Sequence, residues 1–121
     1  MSKFVPDAII DLLLTGIATS TRMDVVDDVS TPTDLSGTLA NVAMVAGDGN
    51  DYTIGDGDAS GRKVAMAEKT GVTITGTGTA LHIILSLAAV IKDVTTCTSQ
   101  LLTAAGTVTF STWDHEVLDP T

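Results

Sequence analysis

Ala80-Leu-His-Ile-Ile-Leu85 is the stretch on which the fold turns. Alternate residues of an extended chain share a face, so Leu81, Ile83 and Leu85 lie on one side and Ala80, His82 and Ile84 on the other. Both sides are largely apolar, which predicts a strand at the centre of a sheet, covered on each face. Gly71-Val-Thr-Ile-Thr75 before it and Gly106-Thr-Val-Thr-Phe110 after it carry the β-branched side chains that suit a pleated surface. In the second of these, Val108 and Phe110 point opposite to Thr107, Thr109 and Ser111, so one face enters the core and a hydroxyl-rich face is exposed.

Working outward, residues 6–17 predict a helix. Pro6 suits the first turn, Asp7 favours the positive end of the dipole, and Ile9, Ile10, Leu13, Leu14 and Ile17 recur at helical spacing. An apolar stripe of this kind packs either on the chain's own sheet or on a neighbouring subunit. Further strands are expected at 23–29, 39–46, 52–54, 63–67, 72–75, 79–85, 91–96, 100–103 and 107–112. Pro32 and its polar neighbours make 30–37 a loop. Glu68-Lys-Thr-Gly71 and Ala104-Ala-Gly106 have the length of hairpin turns, and 86–90 reads either as strand continuation or as a bend. Strands at this spacing, with no helices alternating between them, predict one mainly β domain over 1–121. It comprises an N-terminal arm and helix (1–20), an antiparallel sandwich or barrel-like body (21–119) and a short tail (120–121).

Composition narrows the function. The 121 residues carry a formal charge of −9, from 15 acidic and 6 basic side chains. That balance opposes binding to nucleic acid or an anionic membrane surface, since both require Lys and Arg to neutralise phosphate. Apolar residues make up 44% of the chain but aromatics only 3%, so the core is built from small pieces and leaves room for a docked partner to complete the burial. Cys97 is the single cysteine, which excludes an intrachain disulfide and favours folding in a cytosolic compartment. Asp7 and Asp11 interrupt the first apolar run, which reads neither as a signal peptide nor as a transmembrane helix.

No catalytic pattern emerges. Asp56-Gly-Asp-Ala-Ser-Gly61 begins like a calcium loop, but the twelfth position is Ala67 where a bidentate Glu is needed, and a Gly-Asp turn between strands is the better reading. Gly55, Gly57 and Gly61 do not fit dinucleotide spacing, and nucleotide, esterase and metalloprotease signatures are absent. His82 and His115 are the only histidines. No local pattern pairs either with Cys97 as base and nucleophile, and Cys97 reads as a packing residue. No cofactor or metal is expected. Trp113, the only tryptophan, either plugs the end of its own core or anchors a partner.

The segments Phe4-Val-Pro-Asp-Ala-Ile-Ile-Asp-Leu-Leu-Leu14, Asp56-Gly-Asp-Ala-Ser-Gly-Arg-Lys63, Gly71-Val-Thr-Ile74, Gly78-Thr-Ala-Leu-His82, Val94-Thr-Thr-Cys-Thr-Ser-Gln100 and Gly106-Thr-Val-Thr-Phe-Ser-Thr-Trp-Asp114 occur in this order nearly end to end. In that order the chain resembles small virion structural proteins of tailed bacteriophages. Ser86-Leu-Ala-Ala-Val-Ile91 departs from the pattern by being more apolar than the polar turn expected there. The resemblance implies a non-enzymatic capsid decoration or cement protein on the virion surface, made in the host cytoplasm and bound to the major capsid protein. A neck, tail or fibre component bound to other virion proteins is the alternative. Trimers follow only by analogy with cement proteins at three-fold positions. The ends of the chain are the expected docking elements, through Phe4, Val5, Ile9, Leu13, Trp113 and Leu118.

Overall fold

The computed structural model describes residues 5–119. After helix α1 (Asp7–Ala18) come nine strands: β1 (Arg22–Val26), β2 (Thr38–Ala43), β3 (Tyr52–Asp56), β4 (Arg62–Met66), β5 (Lys69–Thr73), β6 (Gly78–Leu87), β7 (Val90–Leu102), β8 (Thr107–Phe110) and β9 (Trp113–Val117). They form three antiparallel sheets, ordered β2-β1-β6-β7, β3-β4-β9 and β5-β8. The fold is therefore mainly antiparallel β with one N-terminal helix, as the strand spacing predicts.

β6 is the central strand its two apolar faces require, with β1 on one side and β7 on the other. Met23 and Val25 of β1 lie beside Leu85 and Ile83 of β6 on the face that meets the main core. The opposite face holds Asp24, buried but neutralised by the Arg22 guanidinium through bonds of 2.7 and 2.6 Å, with the Thr38 hydroxyl donating to it at 2.6 Å. A buried carboxylate is tolerable only with such partners. Leu14 of the helix, Tyr52 of β3, Val64 and Met66 of β4, Ile74, and Phe110 of β8 close the same core, so all three sheets and the helix share it.

Two expected hairpins do not form. Residues 72–75 do not fold back on 63–67 across Glu68–Gly71, because β3 and β9 already occupy both ladder edges of β4. Instead the chain crosses at Ala67–Glu68 into another sheet, where β5 pairs with β8. The Ala104–Gly106 turn connects β7 to β8, but the two strands do not pair across it. Its backbone extends the β5–β8 ladder, with the Ile74 N–H donating to the Gly106 carbonyl and the Ala105 N–H to the Ile74 carbonyl, each at 2.9 Å. The strands expected at 91–96 and 100–103 are one continuous β7. Its register against β6 jumps from Thr96 opposite His82 to Gln100 opposite Ala80, so Cys97–Ser99 bulge out opposite Leu81. The strands expected over 23–29 and 39–46 stop at Val26 and Ala43, and β9 adds a strand that the expected series ended before.

The ambiguous segment 86–90 contains a two-residue hairpin in which Leu87 pairs with Val90. Ala88 and Ala89 bridge it with φ of 49° and 65°. Two left-handed residues are what a hairpin matching the strand twist needs, but alanine adopts that region at a cost that Asn-Gly largely avoids. The double variant Ala88→Asn/Ala89→Gly should therefore gain about 1 kcal/mol, a rise in Tm of roughly 3–6 °C by calorimetry.

Candidate docking surface

The helix spends its apolar stripe in two directions. Pro6 starts it, accepting from the Ile9 N–H at 2.9 Å, and Thr19 closes it with its hydroxyl on the Gly16 carbonyl at 2.6 Å. Ile10, Leu14, Ile17 and Ala18 are buried against the sheets. Ile9 and Leu13 are not: they remain 55% and 57% exposed, and Leu12, one turn from Ile9, is 68% exposed. The inner half of the stripe packs on the chain's own core, and the outer half remains exposed.

Two anchors fix which half faces outward. Arg62 at the start of β4 grips Asp11 of the helix with two bonds, at 2.9 and 3.1 Å, and holds Asp56 at 2.8 Å. These carboxylates raise the Arg62 pKa, chiefly through the hydrogen bonds to Asp11 and then Asp56. At the far end of the helix, the fully buried Tyr52 donates its hydroxyl to the Ser20 carbonyl at 2.8 Å. Burial, with the Asp51 charge adding to it, pushes the Tyr52 phenol up to about 12 against the opposing effect of that hydrogen bond.

The C-terminal strand completes the surface. Val5, Ile9, Ile10 and Leu13 share a shallow hollow of about 300 Å³ with Val117 and Leu118, the latter 60% exposed. Of the residues expected at a docking site, the structure brings together Val5, Ile9, Leu13 and Leu118. Trp113 is placed elsewhere, half-buried against the core at the opposite end of β9, and Phe4 lies outside the described residues. Sequence reasoning missed Leu12, which sits one helical turn from Ile9, and Val117, whose place beside the helix is set by β9 pairing with β4.

The Asp56–Gly61 turn positions this strand end. Gly61 has a φ of 71°, and a Cβ on it would lie 1.9 Å from the Val117 carbonyl oxygen and 2.8 Å from the Leu118 Cα. The turn's carboxylates face the chain's own cations, Asp56 on Arg62 and Asp58 on Lys63 at 2.6 Å, while Glu116 accepts the Asp58 N–H at 2.7 Å. Among the described residues, no group of three His, Cys, Asp or Glu side chains is placed to hold a metal ion.

The residues considered for catalysis are held apart. The His82 ring contacts the Asp28 carbonyl at 2.9 Å, and the His115 ring contacts Asp93 at 3.0 Å. No hydrogen bond joins either to Cys97 among the described residues, and burial raises the Cys97 thiol above its ordinary value. The Asp93–His115 contact links β7 to β9 across two sheets. Burial raises the Asp93 carboxyl too, more than His115 and the Val94 N–H lower it. Among the described residues, no helix is long and apolar enough to cross a membrane. No family model matches the chain, and neither a curated protein nor a solved structure does.

Two outcomes test this geometry. Gly61→Ala should cost about 2 kcal/mol in urea unfolding, because it combines a left-handed backbone with a collision against β9. The folded state binds the Asp93 proton more tightly than the unfolded chain does. Asp93 therefore contributes most stability below the ordinary carboxyl range and loses that contribution as pH rises through its raised value. Asp93→Asn, neutral at every pH, should have a urea midpoint at neutral pH at least equal to the parent's, with the difference shrinking or reversing in acid.

Proposed function

We propose that this chain is a non-enzymatic structural protein of a tailed-phage virion, most specifically a decoration protein that binds the major capsid lattice and stabilises the head. The observation that carries the reading is an apolar surface in which the exposed Ile9, Leu13 and Leu118 share a hollow with the half-buried Val5 and Val117, and the exposed Leu12 lies one helical turn from Ile9. Contiguous apolar side chains left uncovered on a small acidic chain favour a protein partner. The patch is small, and a symmetric shell offsets a small interface by presenting many copies of its complement. The order of sequence segments that resembles small virion proteins supports the same reading.

The experiment uses heads assembled without this protein. Added back, it should bind in hundreds of copies per head and raise resistance to heat and osmotic shock. Ile9→Asp and Leu13→Asp lie on the more exposed side of the helix, so each should cost only about 1 kcal/mol of stability and leave the protein folded. Each should weaken binding to heads at least tenfold, since burying such a side chain contributes about 1.5–3 kcal/mol. Undiminished binding by both variants, or heads equally resistant with and without the protein, would overturn the assignment. A few copies per virion would move the protein to the neck or tail.

A further inference from the structure

A second surface lies away from the helix. β7 ends the four-stranded sheet, and β8 and β9 each have a ladder on one side only. β7, with Val25 of β1 and Ala80 and Ile83 of β6, lines one side of a groove of about 440 Å³ and Val108–Asp114 the other, a volume within the range of ligand sites of roughly 300–1,000 Å³. No backbone hydrogen bond joins β7 to β8 or β9 among the described residues. The bulge at Cys97–Ser99 bends β7 at this place. Val25, Ile83 and Phe110 contribute apolar surface, and Thr96 of β7 and Thr109 of β8 are among the polar residues that line it. Trp113 also lines the groove, and its buried indole N–H has no acceptor in the chain's described residues.

The geometry points to strand addition: the groove accepts an extended, positively charged peptide segment of a partner protein, which adds a strand to the edge of β7. Main-chain bonding to a free sheet edge supplies affinity, and alternate side chains reach the apolar surface. The sign of the charge follows from what the chain has left over. No Lys, Arg or His lines the groove, whereas Asp114 does. Lys63 is 3.6 Å from Asp114 but committed to Asp58 at 2.6 Å. Arg22, Arg62 and Lys69 are likewise held by the chain's own carboxylates, and Lys92 of β7, which makes no ion pair among the described residues, does not line the groove. At a net charge of −9 the surroundings attract a cationic segment and repel an acidic one, a second copy of this chain included.

Trp113, as the only tryptophan, reports on the groove directly. The probes are three capped hexapeptides, TVKVKT, its acidic counterpart TVEVET and the interrupted TVKPKT. TVKVKT should give a saturable change in Trp113 emission and slow amide exchange at Thr95–Thr98, with binding at least tenfold weaker for the other two. Thr109→Lys, an exposed substitution on the rim, should weaken TVKVKT severalfold and leave the unfolding midpoint unchanged. Absence of both signals with TVKVKT at about 1 mM, a ceiling near −4 kcal/mol of binding, would overturn the inference. So would equal binding of all three peptides, or an emission change without exchange protection. Ile9→Asp and Leu13→Asp should bind TVKVKT like the parent, which separates this site from the helix surface.

Discussion

The seating of one short helix decides what this molecule presents to its surroundings. Arg62 reaches from the first residue of β4 to Asp11 in the middle of α1, and Tyr52 bonds the backbone just beyond the helix end. Between these fixed points Ile10, Leu14 and Ile17 enter the core, and the helix has no rotational freedom left with which to hide Ile9, Leu12 and Leu13. The same Arg62 holds Asp56, at the head of the turn whose Gly61 lies against the end of β9. A single guanidinium thus connects the helix, the β3–β4 turn and, through that turn, the strand carrying Val117 and Leu118. Its planar fork suits this task in a way a lysine ammonium would not.

Charge is distributed with similar economy. Four basic side chains are consumed in tying the chain to itself: Arg22 to Asp24, Arg62 to Asp11 and Asp56, Lys63 to Asp58, and Lys69 to Asp51. The more exposed of these pairs, such as Lys63–Asp58, add little stability individually, whereas Arg22 is needed by the buried Asp24. Together these pairs leave Lys92 as the lysine or arginine among the described residues without an ion pair, against a net charge of −9. Any protein surface that docks on the helix patch or the β7 groove therefore meets a negative field, and its own cations strengthen the encounter.

The extent to which the fold was legible differs strand by strand. β6 announced itself because both of its faces are apolar, and β8 because Val108 and Phe110 alternate with Thr107 and Thr109; these patterns depend only on the two-residue period of a strand. The partners of β5 and β8 were not legible. Glu68–Gly71 and Ala104–Gly106 both have hairpin length, yet the strands on either side of each do not pair with one another. What overrides the local preference is occupancy: β4 has no free edge for β5, and the turn after β7 bonds to Ile74 from a distant part of the chain. The candidate docking surface divides in the same way. Ile9, Leu13 and Leu118 were legible as apolar residues near the ends, whereas their union was not, since it needs β9 to pair with β4 and bring Val117 back under the helix.

By itself, then, the sequence determined the class of structure: an amphipathic helix followed by short β segments and an acidic chain, but not that two of its few aromatics, Tyr52 and Phe110, are spent in the core. Those properties follow from side-chain size, charge and periodicity, which act within a few residues of chain. Only the tertiary structure decided which strand edges are paired and which are left open, and which half of the helix stripe is covered. Both are outcomes of competition between distant segments for the same ladder positions and the same apolar contacts, and no local pattern records who wins.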